Sequence, residues 1–152
     1  MARTAINQWV VPSASRTAAG TTVSFLPVPY DIMVKSVCVF GIDPANIDGD
    51  TLNVIIDSSA SQAGTFTTIA DSTALEYNAT DDTFGLATGA TNGDIVTLGA
   101  AARGTLAFPG TRVAGNRYMR CREIWAGTVT AAQVQITVEF EVLNDTLDAG
   151  ST

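Results

Sequence analysis

The chain has 152 residues, of which 46% are hydrophobic and 15% charged, and its formal net charge is −7 at pH 7. That length suits one domain with a sizeable core, and the apolar fraction excludes a chain that is disordered throughout. Acidic residues outnumber basic ones 15 to 8, which excludes general binding to a phosphate backbone, because that affinity rests on neutralised charge.

The N-terminal stretch MARTAINQWVVPSASRTAAG holds no apolar run of the kind a signal peptide needs. No later segment approaches the ~18 uninterrupted apolar residues of a membrane span, so the chain is expected to be made in the cytoplasm and to have no membrane partner. Residues 1–20 are rich in Ala, Ser and Thr, contain Pro12, and lack periodicity beyond the patch Trp9, Val10 and Val11. They are expected to form an extended arm. A tryptophan in a polar arm is costly to leave in water, so Trp9 should dock on its own domain or on a neighbour.

From residue 21 the pattern is strand and turn, with no window that keeps the spacing of an amphipathic helix. Strands are predicted over 22–28, 32–40, 51–58, 65–70, 94–98, 104–108, 118–129 and 134–143, where β-branched residues are common. Clusters of Gly, Pro, Asn and Asp such as PVPYD, DPANIDGD, SQAG, TNGD, FPGT and VAGN separate them. The fold class is therefore all-β, an antiparallel sandwich or barrel. Residues 73–102 are too polar for a strong strand and are expected to be a long loop with a short hairpin or one helical turn. Residues 144–152 are expected to fray, which gives an arm at 1–20, a sandwich at 21–143 and a C-terminal tail.

The last strand alternates most strictly. Val134, Ile136, Val138, Phe140 and Val142 share one parity, and Gln133, Gln135, Thr137, Glu139 and Glu141 share the other. Burying each of the apolar set contributes about 1.5–3 kcal/mol before ordering entropy is subtracted. The Glu139 and Glu141 side should face solvent or a subunit boundary.

Candidate chemistry is sparse. Histidine is absent, so the commonest general base and metal-binding nitrogen are missing, and no Ser-His-Asp or Cys-His pair can form. Cys38 and Cys121 each lie inside an apolar run and are expected to be buried thiols, with a disulfide as the alternative. The aspartates of DPANIDGD (Asp43, Asp48, Asp50) do not keep the register of a calcium loop and suit turns, and Asp81 and Asp82 suit a solvated loop. The run GLATGATNGD lacks the lysine of a phosphate-binding loop. No catalytic residue, cofactor or metal ligand is expected, and the chain is not expected to be an enzyme.

Arg103, Arg112, Arg117, Arg120 and Arg122 cluster in the last third. If Met119, Cys121 and Trp125 face the core, Tyr118, Arg120 and Arg122 form an outward stripe. That stripe is either a solvated face or an interface, since arginine and tyrosine are enriched at interfaces and an arginine fork fits a carboxylate. Glu139 and Glu141, on a neighbouring strand or subunit, are candidate partners.

The stretches FLPVPYDIMVKSVCVFG, DGDTLNVIIDSS and NRYMRCREIWAGTVTAAQVQITVEFEVL are similar in layout to the jelly-roll decoration (cement) proteins of tailed-bacteriophage heads. The resemblance spans most of residues 20–143. It implies a virion protein on the outer surface of a capsid, partnered by the major capsid protein and by itself as a homotrimer, clamping capsid subunits. It also implies an arm that reaches across to capsid or protomer, with Arg3, Trp9, Val10 and Val11 as contact residues beside Tyr118, Arg120, Arg122, Glu139 and Glu141. A head-fibre or tail-associated sandwich module, a carbohydrate-binding sandwich and a hydrolase remain as alternatives. The last is disfavoured by the missing histidine.

Overall fold

The computed structural model of the chain describes residues 6–12, 14–43, 51–72, 75–78, 83–86, 98–99, 103–106, 111–129 and 133–143. These form β1 (Ile6–Val11), β2 (Gly20–Val28), β3 (Ile32–Asp43), β4 (Thr51–Ser59), β5 (Thr67–Asp71), β6 (Leu75–Asn78), β7 (Thr83–Leu86), β8 (Leu98–Gly99), β9 (Arg103–Leu106), β10 (Thr111–Val113), β11 (Arg117–Ala126) and β12 (Gln133–Val142). No helix occurs among the described residues, and every strand pairing is antiparallel.

Two sheets result. One runs β1-β12-β3, with β10 and β9 sharing the far edge of β3. The other runs β2-β11-β4, with β5 and β6 sharing the far edge of β4 and β7 and β8 extending it. If β9 and β10 count as one interrupted strand, β5 and β6 as another, and β7 and β8 as an extension, about eight principal strands remain, the number of a jelly roll. Strands one, eight, three and six form one sheet and strands two, seven, four and five the other, so the chain is an antiparallel β-sandwich wound as a jelly roll.

The core follows from period-two alternation. In β11, Met119, Cys121 and Trp125 are buried while Tyr118, Arg120, Arg122 and Ile124 are half-exposed. In β12, Val134, Ile136 and Val138 are buried, with Phe140 and Val142 packed at the margin of the core. In β3 the parity slips at Lys35, the extra residue where the pairing jumps from Ser36↔Glu139 to Val34↔Phe140. The bulge keeps both Val34 and Val37 inward.

In the N-terminal segment Trp9 docks on its own domain, one of the two expected alternatives, but as part of a strand. Ile6–Val11 is an edge strand paired along its length with β12, not an arm. Trp9 lies opposite Val138 and is 8% exposed, and Val11 is buried with it. The cause is local: Trp9 and Val11 share the inward parity, and their apolar area is worth more inside the sandwich than in water. The sequence signal was hidden because Val10, of outward parity, is also apolar and 54% exposed.

Residues 73–102 contain an antiparallel β6/β7 hairpin and the short β8, which fits the hairpin expected there. Most of the strand predicted over 94–98, most of the turn expected at DPANIDGD, the loop expected at Asp81 and Asp82, the turn expected at TNGD, and the tail 144–152 lie outside the described residues. At the β5/β6 break, Ser72 continues the ladder with its side chain as well as its backbone. Its N–H donates to Val54 O at 2.9 Å, and its Oγ accepts from Val54 N at 2.8 Å. Both cysteines are buried thiols outside any disulfide, which decides between the two alternatives.

Candidate interaction face

The outer face of the β2-β11-β4 layer holds the densest polar cluster. Arg120 stands in register between Phe25 of β2 and Asp57 of β4, and Arg122 between Val23 and Ile55. Asp57 is therefore directly across from one arginine and diagonal to the other, both within reach of long side chains. A bulge in β5 completes the arrangement. Ile56 pairs with Ala70 but Asp57 with Thr68, so Ile69 is skipped and a hydroxyl, not an aliphatic chain, meets the carboxylate.

The geometry is tightly held. Arg120 donates to Asp57 Oδ2 from Nε at 3.0 Å and Nη2 at 2.6 Å. Arg122 donates from Nε to Oδ2 at 2.9 Å and from Nη2 to Oδ1 at 3.3 Å, and Thr68 Oγ1 donates to Oδ1 at 3.2 Å. The Asp57 side chain is 1% exposed and those of Arg120 and Arg122 are 22% and 29% exposed. Burial pushes the Asp57 carboxyl upward. Hydrogen bonds from Arg122 and Arg120, and their positive charges, outweigh this and leave it below its ordinary value.

Aromatic rings frame the charges. The Arg120 guanidinium carbon lies 3.8 Å from the centroid of Phe66, a cation–π stack. The Phe66 and Phe25 centroids are 6.1 Å apart at a 50° tilt. Phe25 and Val23, both on β2, are 37% and 43% exposed. The face thus combines exposed apolar side chains with guanidinium groups whose positions are fixed in advance.

The cluster offers hydrogen-bond donors and is poorly set up for proton transfer. The Asp57 carboxylate is ionised and its oxygens are occupied by donors, so it is poorly placed to accept a proton from a substrate. Each guanidinium has five N–H donors, more than one shared carboxylate can take, which leaves donors for a partner. Among the described residues, no three His, Cys, Asp or Glu side chains gather as metal ligands.

The other sequence-predicted residues disperse. Tyr118 lies on the same face as Arg120 and Arg122, half-exposed between Pro27 and Ser59. Glu139 and Glu141 are in the opposite sheet and do not meet these arginines within the chain. Glu139 accepts from Gln8 Nε2 at 3.0 Å and Ser36 Oγ at 2.5 Å, and Glu141 lies 3.2 Å from Lys35 Nζ. The carboxylate that pairs with the stripe is Asp57. Trp9 and Val11 are core residues and Val10 is exposed on β1, while Arg3 lies outside the described residues.

A second ion pair also escaped the sequence. Glu123 has the inward parity of β11 and is 4% exposed. Its Oε1 accepts from Trp125 Nε1 at 2.5 Å and lies 3.5 Å from Arg16 Nε. An acidic residue at a core parity, two positions from a tryptophan, was the available signal. At the sandwich end, Asp31 accepts from Gly115 N at 2.6 Å and pairs with Arg112, and these bonds hold its carboxyl below the ordinary range.

No family model matches the chain, and no curated protein matches it. Among solved structures, loose likeness is found to the VP2 subviral particle of infectious bursal disease virus, at 12% identity and a TM-score of 0.27, covering 99% of this chain and 44% of that one. The Gx strain of the same virus gives 10% identity and a TM-score of 0.24, covering 91% and 42% respectively. The chain thus spans less than half the length of these viral chains, and likeness at this level assigns no role.

Proposed function

We propose that this chain is a non-enzymatic structural protein of a virion, a decoration protein that binds the outer surface of a tailed-phage head and stabilises it. The observation that supports this best is the pre-ordered face of Asp57, Arg120, Arg122, Phe66 and Phe25. Solvated arginines on a sheet are usually mobile, whereas these are locked on a buried carboxylate beside exposed apolar side chains. Ordering them in advance lowers the entropy lost on binding, and arginine with aromatic residues is the composition of protein–protein hot spots. The jelly-roll winding agrees with the family that the sequence resembles.

A carbohydrate-binding role fits less well. Both tryptophans are buried, Trp9 at 8% and Trp125 at 2% exposure, and the Phe25 and Phe66 rings are tilted, so no flat indole platform faces outward.

The test is co-sedimentation of the purified protein with heads stripped of it, beside the Arg120→Lys/Arg122→Lys double variant. Lysines keep the counter-charge for Asp57, so the sandwich should fold, but they lose the planar forks and the stack on Phe66. Wild-type protein should sediment with heads and the double variant should show several-fold lower occupancy. Undiminished occupancy of the variant would move the contact elsewhere on the sandwich. Failure of the wild type to bind heads would overturn the proposal.

A further inference from the structure

Strand β2, GTTVSFLPV, pairs with β11 over nine consecutive positions, from Gly20↔Trp125 to Val28↔Arg117, without a bulge. Among the described strands, β11 is its only partner. Among the described residues its other edge is thus an unpaired row of main-chain donors and acceptors, and the strand carries none of the usual protections: no charged residue, no bulge, and a proline only near its end. The contrast with β9 and β10, across the other sheet, is plain. There the edge is broken into short pieces that include Arg103 and Arg112. Three of the exposed large hydrophobic side chains, Val10, Val23 and Phe25, lie on β1 and β2, two outer strands without charge.

We infer that the free edge of β2 pairs with β2 of a second copy of this chain, antiparallel about a two-fold axis at Val23. Pro27 sets the phase. Lacking an N–H, it belongs where the β11 ladder needs none, so Thr21, Val23 and Phe25, of the same parity, aim their N–H and C=O groups at the open edge. With Val23 opposite Val23, Thr21 falls opposite Phe25 and Phe25 opposite Thr21. Each facing pair exchanges two bonds, about six new main-chain hydrogen bonds in all. The outward cross-strand pairs are then β-branched with β-branched and β-branched with aromatic, which are favourable combinations.

Charge selects the occupant. Two copies that each carry −7 repel, and they can approach most readily where neither presents a charge, which β2 offers to itself. A second copy meets this edge with an identical, self-complementary one, as an isologous contact requires. This contact uses the main-chain edge of β2, whereas the proposed head contact uses the outward side chains of the same layer, so it is tested without heads.

The experiment uses the isolated full chain in the absence of heads. Native mass spectrometry at micromolar concentration should give twice the chain mass. Amide exchange at Thr21, Val23 and Phe25 should slow about tenfold or more between dilute and micromolar protein. Val23→Lys, at an exposed position outside the core, should return the chain mass with an unchanged far-ultraviolet spectrum. The exchange measurement on wild type needs no variant to fold. A monomer whose three amides exchange freely would overturn the inference. So would a trimer, or protection that arises only when heads are added.

Discussion

Replacing Asp57 with Asn probes the internal electrostatics of the outer face most sharply. Asp57 is 1% exposed and carries donors from two arginines and Thr68. An amide keeps the shape but loses the charge, and its NH2 group faces guanidinium donors. Removing one partner of a buried charge network costs roughly 3–5 kcal/mol, and the partial exposure of Arg120 and Arg122 places this case near about 3 kcal/mol. With a urea slope of about 2 kcal/mol per molar, the unfolding midpoint should fall by about 1.5 M at neutral pH. The pH dependence follows from the lowered carboxyl. Relative to the unfolded chain, whose reference value is 3.8, the folded form holds its proton less firmly. The Asp57 contribution is therefore complete above that value and is lost as pH falls through the lower folded one. Urea titrations of wild type and Asp57→Asn should diverge at neutral pH and converge in acid. A difference below about 0.5 kcal/mol, typical of exposed pairs, or one that does not change with pH, would refute the reasoning.

Trp9→Ala should destabilise the sandwich by about 3–5 kcal/mol in chemical denaturation, because Trp9 is a core residue opposite Val138; a loss under about 1 kcal/mol would restore the view of it as a surface anchor. Gly115→Ala should cost about 1–2 kcal/mol, read as a lower thermal midpoint, since its Cβ would meet Pro29 O at 3.0 Å and the Tyr30 carbonyl carbon at 3.1 Å. Thr68→Val should cost about 1 kcal/mol through loss of one hydrogen bond to Asp57. Cys121 should resist thiol reagents until the protein unfolds, because burial, followed by the nearby Glu123 and Asp57 charges, pushes its thiol up; reaction at the rate of a free thiol in the native state would count against the buried placement.

Much of the sandwich was legible because alternation survives wherever one sheet face is dry. β11 and β12 read correctly from Met119, Cys121 and Trp125, whose parity only the buried Glu123 interrupts, and from Val134, Ile136 and Val138. β1 did not, since Val10 blurs a six-residue pattern that only Trp9 and Val11 define. The stripe of Tyr118, Arg120 and Arg122 was visible from parity alone. Its counter-ion was not. Asp57 lies in a strand whose run Leu52, Val54, Ile55 and Ile56 is also buried, and aspartate reads first as a turn former. Pairing it with Arg120 required knowing that β4 and β11, sixty-odd residues apart, are neighbours. The Ile69 bulge that brings in Thr68, and the Arg16 contact to Glu123, likewise depend on register that no local pattern encodes.

The most direct measurement of the proposed role is a cryo-electron microscopy map of the native particle at a resolution that traces strands. The expected result is sandwich density on the outer head surface, with the face of Arg120, Arg122, Phe25 and Phe66 turned to the capsid shell. A particle with no such density on its exterior, or one in which that face points to bulk solvent while another side of the sandwich makes the contact, would contradict it.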